Sequence, residues 1–154
     1  MPYRAEVAFF PLADDKRYHV QIAIMRADAS CMEPVQCMSN PIKMLGDPGA
    51  DITLLRNEEA NKLGYNLDMV YDTFPVQGIA GQPTQFKQVD TWIAIGDLEP
   101  IFAPVGFCTT PDGLYENLLG NKGLIRSGKI TAHYDSRDVS YTKGMYNANF
   151  AGLR

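Results

Sequence analysis

Short strand-like segments, separated by turn-forming residues, recur along most of the chain and constrain its fold more than any other feature. In Tyr18–Met25, apolar residues at every second position show the period of two that is typical of a half-buried strand. The segments predicted to be strands are Tyr3–Leu12, Tyr18–Met25, Ile42–Leu45, Asp51–Leu55, Thr73–Gly78, Thr84–Ile95, Ile101–Cys108, Asn117–Gly120 and Lys129–Tyr134. Many short strands with few helices favour an all-β barrel.

Only two segments have helical character. Arg56–Leu63 carries Asn57 as a candidate N-cap, acidic residues in its first turn and Gly64 at its end. Asn121–Ser127 is predicted to be a second short helix. The first two strands are expected to pair as a hairpin, Asp28–Pro41 is expected to be a loop, and the tail from Ser136 shows little periodicity.

Composition excludes several classes of function. With 154 residues, 45% of them hydrophobic and 21% charged, the chain is predicted to be one globular domain. The net charge of -4 and the scattered basic residues argue against a nucleic-acid or anionic-membrane partner. No segment approaches the roughly 20 apolar residues of a membrane helix, and the start of the chain lacks a signal-peptide pattern.

The chemistry-bearing residue types other than carboxylates form no recognisable site. Cys31, Cys37 and Cys108 are odd in number and lack metal-ligand spacing, which favours reduced structural cysteines in a cytoplasmic protein. His19 and His133 lie in separate strand patterns, and structural or surface roles are expected for both. The sequence therefore implies neither a metal nor an organic cofactor.

Four features remain, and their order along the chain is informative. An acidic residue, Asp47, lies on a predicted turn between two apolar strands, and a helix follows the second of these strands directly. Further along come a glycine-containing hairpin tip and an apolar pair followed by glycine. The residues concerned are Asp47-Pro48-Gly49-Ala50-Asp51, Gly78-Ile79-Ala80-Gly81 and Leu118-Leu119-Gly120-Asn121.

In this order the motifs resemble those of the retropepsins, the single-domain aspartic proteases of retroviruses, retroelements and their cellular and bacterial relatives. Residues 47–51 are similar to the family's Asp-Thr/Ser-Gly-Ala-Asp active-site loop and residues 78–81 to its flap tip. Residues 104–106, followed by residues 118–125, are similar to its closing strand and C-terminal helix. The resemblance covers about residues 42–134. These residues would be the protease core, with a flap around 74–90. The residue patterns predict one domain over 1–154, in which residues 1–41 form an N-terminal hairpin and loop and residues 135–154 form a tail, and neither end resembles the family.

The resemblance also implies a fold and a mechanism. The fold would be a closed acid-protease-type β-barrel with one or two short helices, forming one half of a two-fold dimer. Each subunit would supply Asp47, and the paired carboxylates would activate a water molecule for hydrolysis of a peptide or polyprotein. Because one chain supplies only one such residue, this chemistry requires a homodimer.

Two residues depart from the family pattern and leave alternatives open. Pro48 replaces the Ser or Thr whose hydroxyl links the two active-site loops, and Asn121 cannot make the ion pair that an Arg makes at this position in many relatives. A catalytically impaired module of the same fold, binding peptides or serving dimerisation, is therefore the second hypothesis. An unrelated small β-barrel that binds a ligand is the third.

Overall fold

The computed structural model describes residues 6–11, 19–27, 34–47, 50–77, 83–96, 98–120, 128–133 and 138–143. The strands are β1 (Glu6–Pro11), β2 (His19–Ile24), β3 (Ile42–Gly46), β4 (Thr53–Leu55), β5 (Thr73–Val76), β6 (Thr84–Ile95), β7 (Ile101–Cys108), β8 (Leu118–Leu119), β9 (Gly128–His133) and β10 (Asp138–Lys143). One α-helix, α1 (Asn57–Lys62), and two 3-10 turns, Pro34–Cys37 and Leu67–Met69, complete the described elements. The prediction of a mostly β protein is therefore confirmed.

Seven strands form one sheet, in the order β2-β3-β8-β4-β7-β6-β5. The long strand β6 pairs with β5 through Thr84–Lys87, with β7 through Phe86–Ile93, and with β2 through Ile93–Ile95. The pairing of β6 with β2 joins strands that lie near opposite ends of this order. A separate three-stranded sheet has the order β1-β10-β9.

The predicted hairpin between the first two strands is wrong. β1 pairs antiparallel with β10, whereas β2 pairs with β3 and β6. Strand β10 lies in the tail, where the sequence shows little periodicity and no strand was predicted. Local alternation predicts that a strand forms, but it does not identify a partner more than a hundred residues away.

The largest cluster of buried side chains lies on the inner faces of the strands, and the pattern of β2 explains its position. Val20, Ile22 and Ile24 are buried while Gln21 is exposed, as the predicted alternation requires. The cluster contains Val20, Ile22, Ile24, Ile42, Met44, Leu55, Ala60, Leu63, Ile93, Ile95, Ala103, Val105, Phe107 and Leu119. It therefore joins the strands of the seven-stranded sheet to helix α1.

Helix α1 forms where the sequence predicts it, but its cap is different. Arg56 is the N-cap residue and makes no side-chain cap bond, so the prediction of Asn57 as N-cap is wrong. The side chain of Asn57 instead donates to the carbonyl oxygen of Cys108, at 2.9 Å. With six residues α1 is short, and no helix in the described part of the chain is long and apolar enough to cross a membrane.

The cysteines differ from expectation at one position. Of the two cysteines that the structure describes, Cys37 is disulfide-bonded and Cys108 is a buried free thiol. The expectation that the cysteines are reduced is therefore wrong for Cys37. An odd number of cysteines in the sequence does not prevent two of them from pairing.

The two-residue strand β8 is inserted between the strands on either side of the predicted turn. Leu118 and Leu119 pair in parallel with Leu45 and Gly46 of β3, and Leu118 also pairs antiparallel with Leu54 of β4. The next residue, Gly120, lies against the main chain of β4. A Cβ atom at this glycine would lie 2.0 Å from the carbonyl carbon of Ile52. Only glycine therefore permits the close contact between these two backbones.

Replacement of Gly120 by alanine is expected to destabilise the fold severely, because the clash is with main-chain atoms that cannot rotate away. We expect the free energy of unfolding in urea to fall by about 3 kcal/mol or more. Gly64→Ala is the matched control, since Gly64 has a φ of 80° but is exposed, and we expect a loss of about 1 kcal/mol there. Equal losses for the two variants would contradict the proposed backbone contact.

Candidate active site

Asp47 lies at the end of β3, where β8 holds its main chain. The amide of Asp47 donates to the carbonyl oxygen of Leu119 at 3.0 Å, and the amide of Leu45 donates to that of Asn117 at 2.9 Å. The carbonyl oxygen of Asp47 accepts from the amide of Ala50 at 3.0 Å, the spacing of a β-turn bond. Both the amide and the carbonyl group of Asp47 are therefore hydrogen-bonded, the first to β8 and the second within the predicted turn.

Asp47 opens onto a cleft with a volume of about 620 Å³. Its lining combines three carboxylates with apolar side chains. The lining residues are Leu45, Asp47, Ala50, Asp51, Ile52, Leu54, Phe74, Pro75, Val76, Gln77, Leu114, Tyr115, Glu116 and Leu118. A cleft of this size and mixed chemistry is suited to an extended ligand that presents both apolar side chains and main-chain polar groups.

A second cluster of buried side chains forms the floor of the cleft. It contains Ile52, Leu54, Phe86, Cys108 and Leu114, with Phe74, Val76 and Leu118 packed against it. The ring of Phe74 stacks on that of Phe86 with centroids 5.8 Å apart, and it also covers Gly106, whose absent Cβ would lie 2.7 Å from the Phe74 ring. The β5–β6 hairpin is thereby packed onto the cleft at its base.

A hydrogen-bond network braces the wall formed by residues 114–118. Asn117 accepts from the amide of Arg56 at 2.8 Å through Oδ1 and donates from Nδ2 to Oε2 of Glu59 at 3.0 Å. The Arg56 side chain donates to the carbonyl oxygen of Leu114 at 3.1 Å. Because Glu59 is buried, its carboxylate depends on Asn117 and on Lys62, whose Nζ lies 3.4 Å from Oε1. Helix α1 thus holds one wall of the cleft in place.

The same wall carries a histidine–glutamate pair. Nε2 of His19 lies 2.8 Å from Oε1 of Glu116, and the His19 side chain is only 6% exposed. Glu116 itself lines the cleft and is 22% exposed. His19 was expected to have a structural or surface role, and Glu116 lies outside the predicted motifs. The only sequence feature that could have pointed to Glu116 is its position two residues before Leu118.

The predicted site residues divide into three groups. Asp47, Ala50, Asp51 and Leu118 lie together in the lining of the cleft. Leu119 and Gly120 are buried behind it, where they hold the main chain. Pro48, Gly49, Gly78, Ile79, Ala80, Gly81 and Asn121 lie outside the described residues.

The tyrosine whose pKa is raised lies outside the cleft, and no metal site is found among the described residues. They contain no group of three or more His, Cys, Asp or Glu side chains that is placed to hold a metal ion. Burial raises the pKa of Tyr65 above its usual value, although a hydrogen bond with Thr91 partly opposes this effect. The Tyr65 hydroxyl donates to the carbonyl oxygen of Met25, so this tyrosine joins the segment after α1 to the end of β2 and is not part of the cleft.

Comparison with solved structures places this architecture in a known class. The structure is similar to the crystal structure of a retropepsin-like aspartic protease from Rickettsia conorii, with a TM-score of 0.63 over 93% of this chain and 95% of that one. The sequence identity is 16%. No protein-family model matches the sequence, and no curated protein matches it.

The chain therefore has the fold of the retropepsin-like aspartic proteases, and the resemblance that the sequence motifs suggested is confirmed at the level of the fold. Almost the whole of both chains is matched, so the likeness extends beyond the motifs at residues 47–51 and 118–121.

Asn117→Ala is expected to destabilise the wall of the cleft. The change leaves the Glu59 carboxylate and the Arg56 amide without their shared partner, and we expect the free energy of unfolding to fall by about 2–4 kcal/mol. Asn66→Ala is the matched control, because Asn66 is exposed and its side chain accepts a hydrogen bond from the amide of Asp68 in an isolated turn. We expect a loss of about 1 kcal/mol or less there. If chemical denaturation gives similar losses for both variants, Asn117 does not brace the wall as described.

Proposed function

We propose that this chain is one subunit of a homodimeric aspartic endopeptidase in which Asp47 is the catalytic residue. The observation that carries the proposal is the placement of Asp47 in a cleft, between two strands whose spacing is set by β8. The retropepsin-like fold supports it, since this architecture accompanies aspartic protease activity in the Rickettsia conorii protein.

The proposed mechanism needs two copies of the chain. Two carboxylates a few ångströms apart cannot both ionise easily, so the paired Asp47 side chains would share one proton. The ionised member would take a proton from a water molecule while that water attacks the scissile carbonyl carbon. The protonated member would polarise the carbonyl oxygen and later supply a proton to the leaving amine. In this proposal each subunit is a single-domain closed barrel, and the two-fold axis passes between the Asp47 loops.

The substrate would be an extended peptide lying between the cleft floor and the β5–β6 hairpin. Thr73–Val76 of this hairpin pair with Thr84–Lys87, and Phe74, Pro75, Val76 and Gln77 line the cleft. We assign the hairpin the role of a flap that closes over the peptide and pairs with its main chain. The apolar floor would receive alternate side chains of the substrate.

The impaired-catalyst alternative rests on Pro48. Proline has neither a hydroxyl nor a main-chain N–H, so it cannot form the hydrogen bond that Ser or Thr makes between the active-site loops of retropepsins. A chain that keeps the cleft but loses this link would bind peptides without cleaving them. The two functions share a fold, and only a cleavage assay separates them.

Cleavage of a mixed peptide library between pH 4 and pH 7 tests the proposal. We expect the native chain to cleave, with a maximum on the acid side where one proton is retained by the carboxylate pair. Asp47→Asn is expected to reduce cleavage at least about a thousandfold, since the amide can neither accept nor supply the proton. The products are identified and counted by mass spectrometry.

Two further variants make the result interpretable. Asp68→Asn removes a carboxylate from an exposed position outside the cleft and should cleave at the native rate. Pro48→Thr restores the hydroxyl of the family motif. Absence of cleavage by the native chain, with activity gained in Pro48→Thr, would establish the impaired binding module. Equal cleavage by the native chain and Asp47→Asn would overturn the assignment of Asp47.

A further inference from the structure

We propose that Phe74 determines specificity: its ring fills the cleft floor above Gly106, so the cleft accepts only a small side chain of the peptide at that point. The inference rests on the proposed function, because it takes the cleft around Asp47 as the peptide site. It goes further in naming the size of side chain that one part of the cleft accepts and the residue that sets this limit.

Strand β7 leaves a gap in the floor at Gly106. Successive side chains of a strand point to opposite faces of the sheet. Phe107 belongs to the main buried cluster, whereas Cys108 belongs to the cluster under the cleft, so Gly106 lies on the cleft side of β7. Its partner on β4, Leu54, belongs to the same cluster as Cys108. A buried strand position without a side chain therefore adjoins the floor of the cleft.

The ring of Phe74 occupies this gap from the β5–β6 hairpin. A Cβ atom at Gly106 would lie 2.7 Å from Cζ and 3.2 Å from Cε1 of Phe74, so the tip of the ring rests on the main chain of β7. The ring also stacks on that of Phe86, its direct partner across the hairpin, with an interplanar angle of 22°. Because Phe74 lines the cleft as well, its ring is part of the floor on which a peptide would lie.

The main chain that carries this ring is fixed. Strand β5 pairs with β6 over Thr73–Val76, and the carbonyl oxygen of Asp72 accepts from the amide of Gln88 at 2.9 Å. Phe74 lies within this paired segment, and its ring is packed against Phe86. Displacement of the ring by a large peptide side chain would break its contacts with the floor, whereas a small side chain can lie on the ring without moving it.

Peptide binding to the Asp47→Asn variant tests the inference independently of cleavage. The probes are fluorescein-labelled extended peptides, apolar at the centre, that carry alanine or phenylalanine at one position at a time. Their Kd values are measured by fluorescence anisotropy. While Phe74 is present, at one position of the peptide alanine should bind at least as tightly as phenylalanine.

Addition of Phe74→Ala removes the ring and opens an apolar cavity between Leu54 and Phe86. Such a cavity can receive an aromatic ring from a ligand. At the same position of the peptide, we expect the Kd of the phenylalanine peptide to fall about tenfold relative to that of its alanine counterpart. Circular dichroism during thermal unfolding checks that the variant is folded.

Val76→Ala on the same background is the matched control. Val76 lies on the same face of β5, two residues further along, and it also lines the cleft. The atoms nearest to the missing Cβ of Gly106 belong instead to Phe74 and Leu54. Val76→Ala should therefore leave the ratio of the two Kd values nearly unchanged.

Gly106→Ala acts on the same ring from the opposite side. The added methyl group meets the tip of a side chain that can move, so we expect the Phe74 ring to shift into the cleft. Binding of the phenylalanine peptide should then weaken about fivefold relative to the alanine peptide. With Phe74→Ala also present, this effect should disappear because the ring is gone. If Phe74→Ala does not fold, Gly106→Ala decides alone, and an unchanged ratio would overturn the inference.

The outcomes distinguish this inference from the proposed function. A shift toward phenylalanine in Phe74→Ala, in a chain whose native form cleaves nothing, would support the inference and reject only the catalysis. Aromatic side chains of the peptide that stack on the Phe74 ring would instead lose affinity in this variant, and that result would overturn the inference. A ratio that Phe74→Ala leaves unchanged at every position, or failure of every peptide to bind, would overturn it as well.

Discussion

The contact between two backbones, at Gly120 and at Ile52–Thr53, is the constraint on which the rest of the site depends. A side chain of any size at Gly120 would overlap with the main chain of β4. The approach also lets the amide of Gly120 donate to the buried hydroxyl of Thr53 at 3.1 Å. It places β8 between β3 and β4, where its neighbours satisfy the polar groups of a two-residue strand that could not be stable alone.

The features of the cleft follow from this insertion. The carbonyl oxygen of Leu119 accepts a hydrogen bond from the amide of Asp47. The segment that lies between β3 and β4 therefore also orients the candidate catalytic residue. Leu118 packs on the floor, and Asn117 links the segment to helix α1. A site built on strands that are held by main-chain bonds is stiffer than one built on a free loop, and a pair of catalytic carboxylates requires such stiffness.

The sequence predicted the parts of this structure that depend on local patterns. The alternation in β2 and the position of α1 follow from periodicity. Asp47, Ala50, Asp51 and Leu118 were singled out by the resemblance to the retropepsins, and all four line the cleft. Pairings between distant segments were not predictable in the same way. The partnership of β1 with β10 and the contact of His19 with Glu116 join residues about a hundred or more positions apart, and no local pattern records them. The disulfide at Cys37 was missed because the sequence was judged by the number of its cysteines.

In the proposed enzyme two Asp47 carboxylates, one from each subunit, form one active site. This arrangement is tested most directly by mixing native and Asp47→Asn chains in different proportions, allowing the subunits to exchange, and measuring cleavage per total protein. If both carboxylates are needed, a mixed dimer is inactive, and an equal mixture should retain about one quarter of the native rate because activity follows the square of the native fraction. Retention of about one half, with activity proportional to the native fraction, would show that each chain acts alone and would contradict the account.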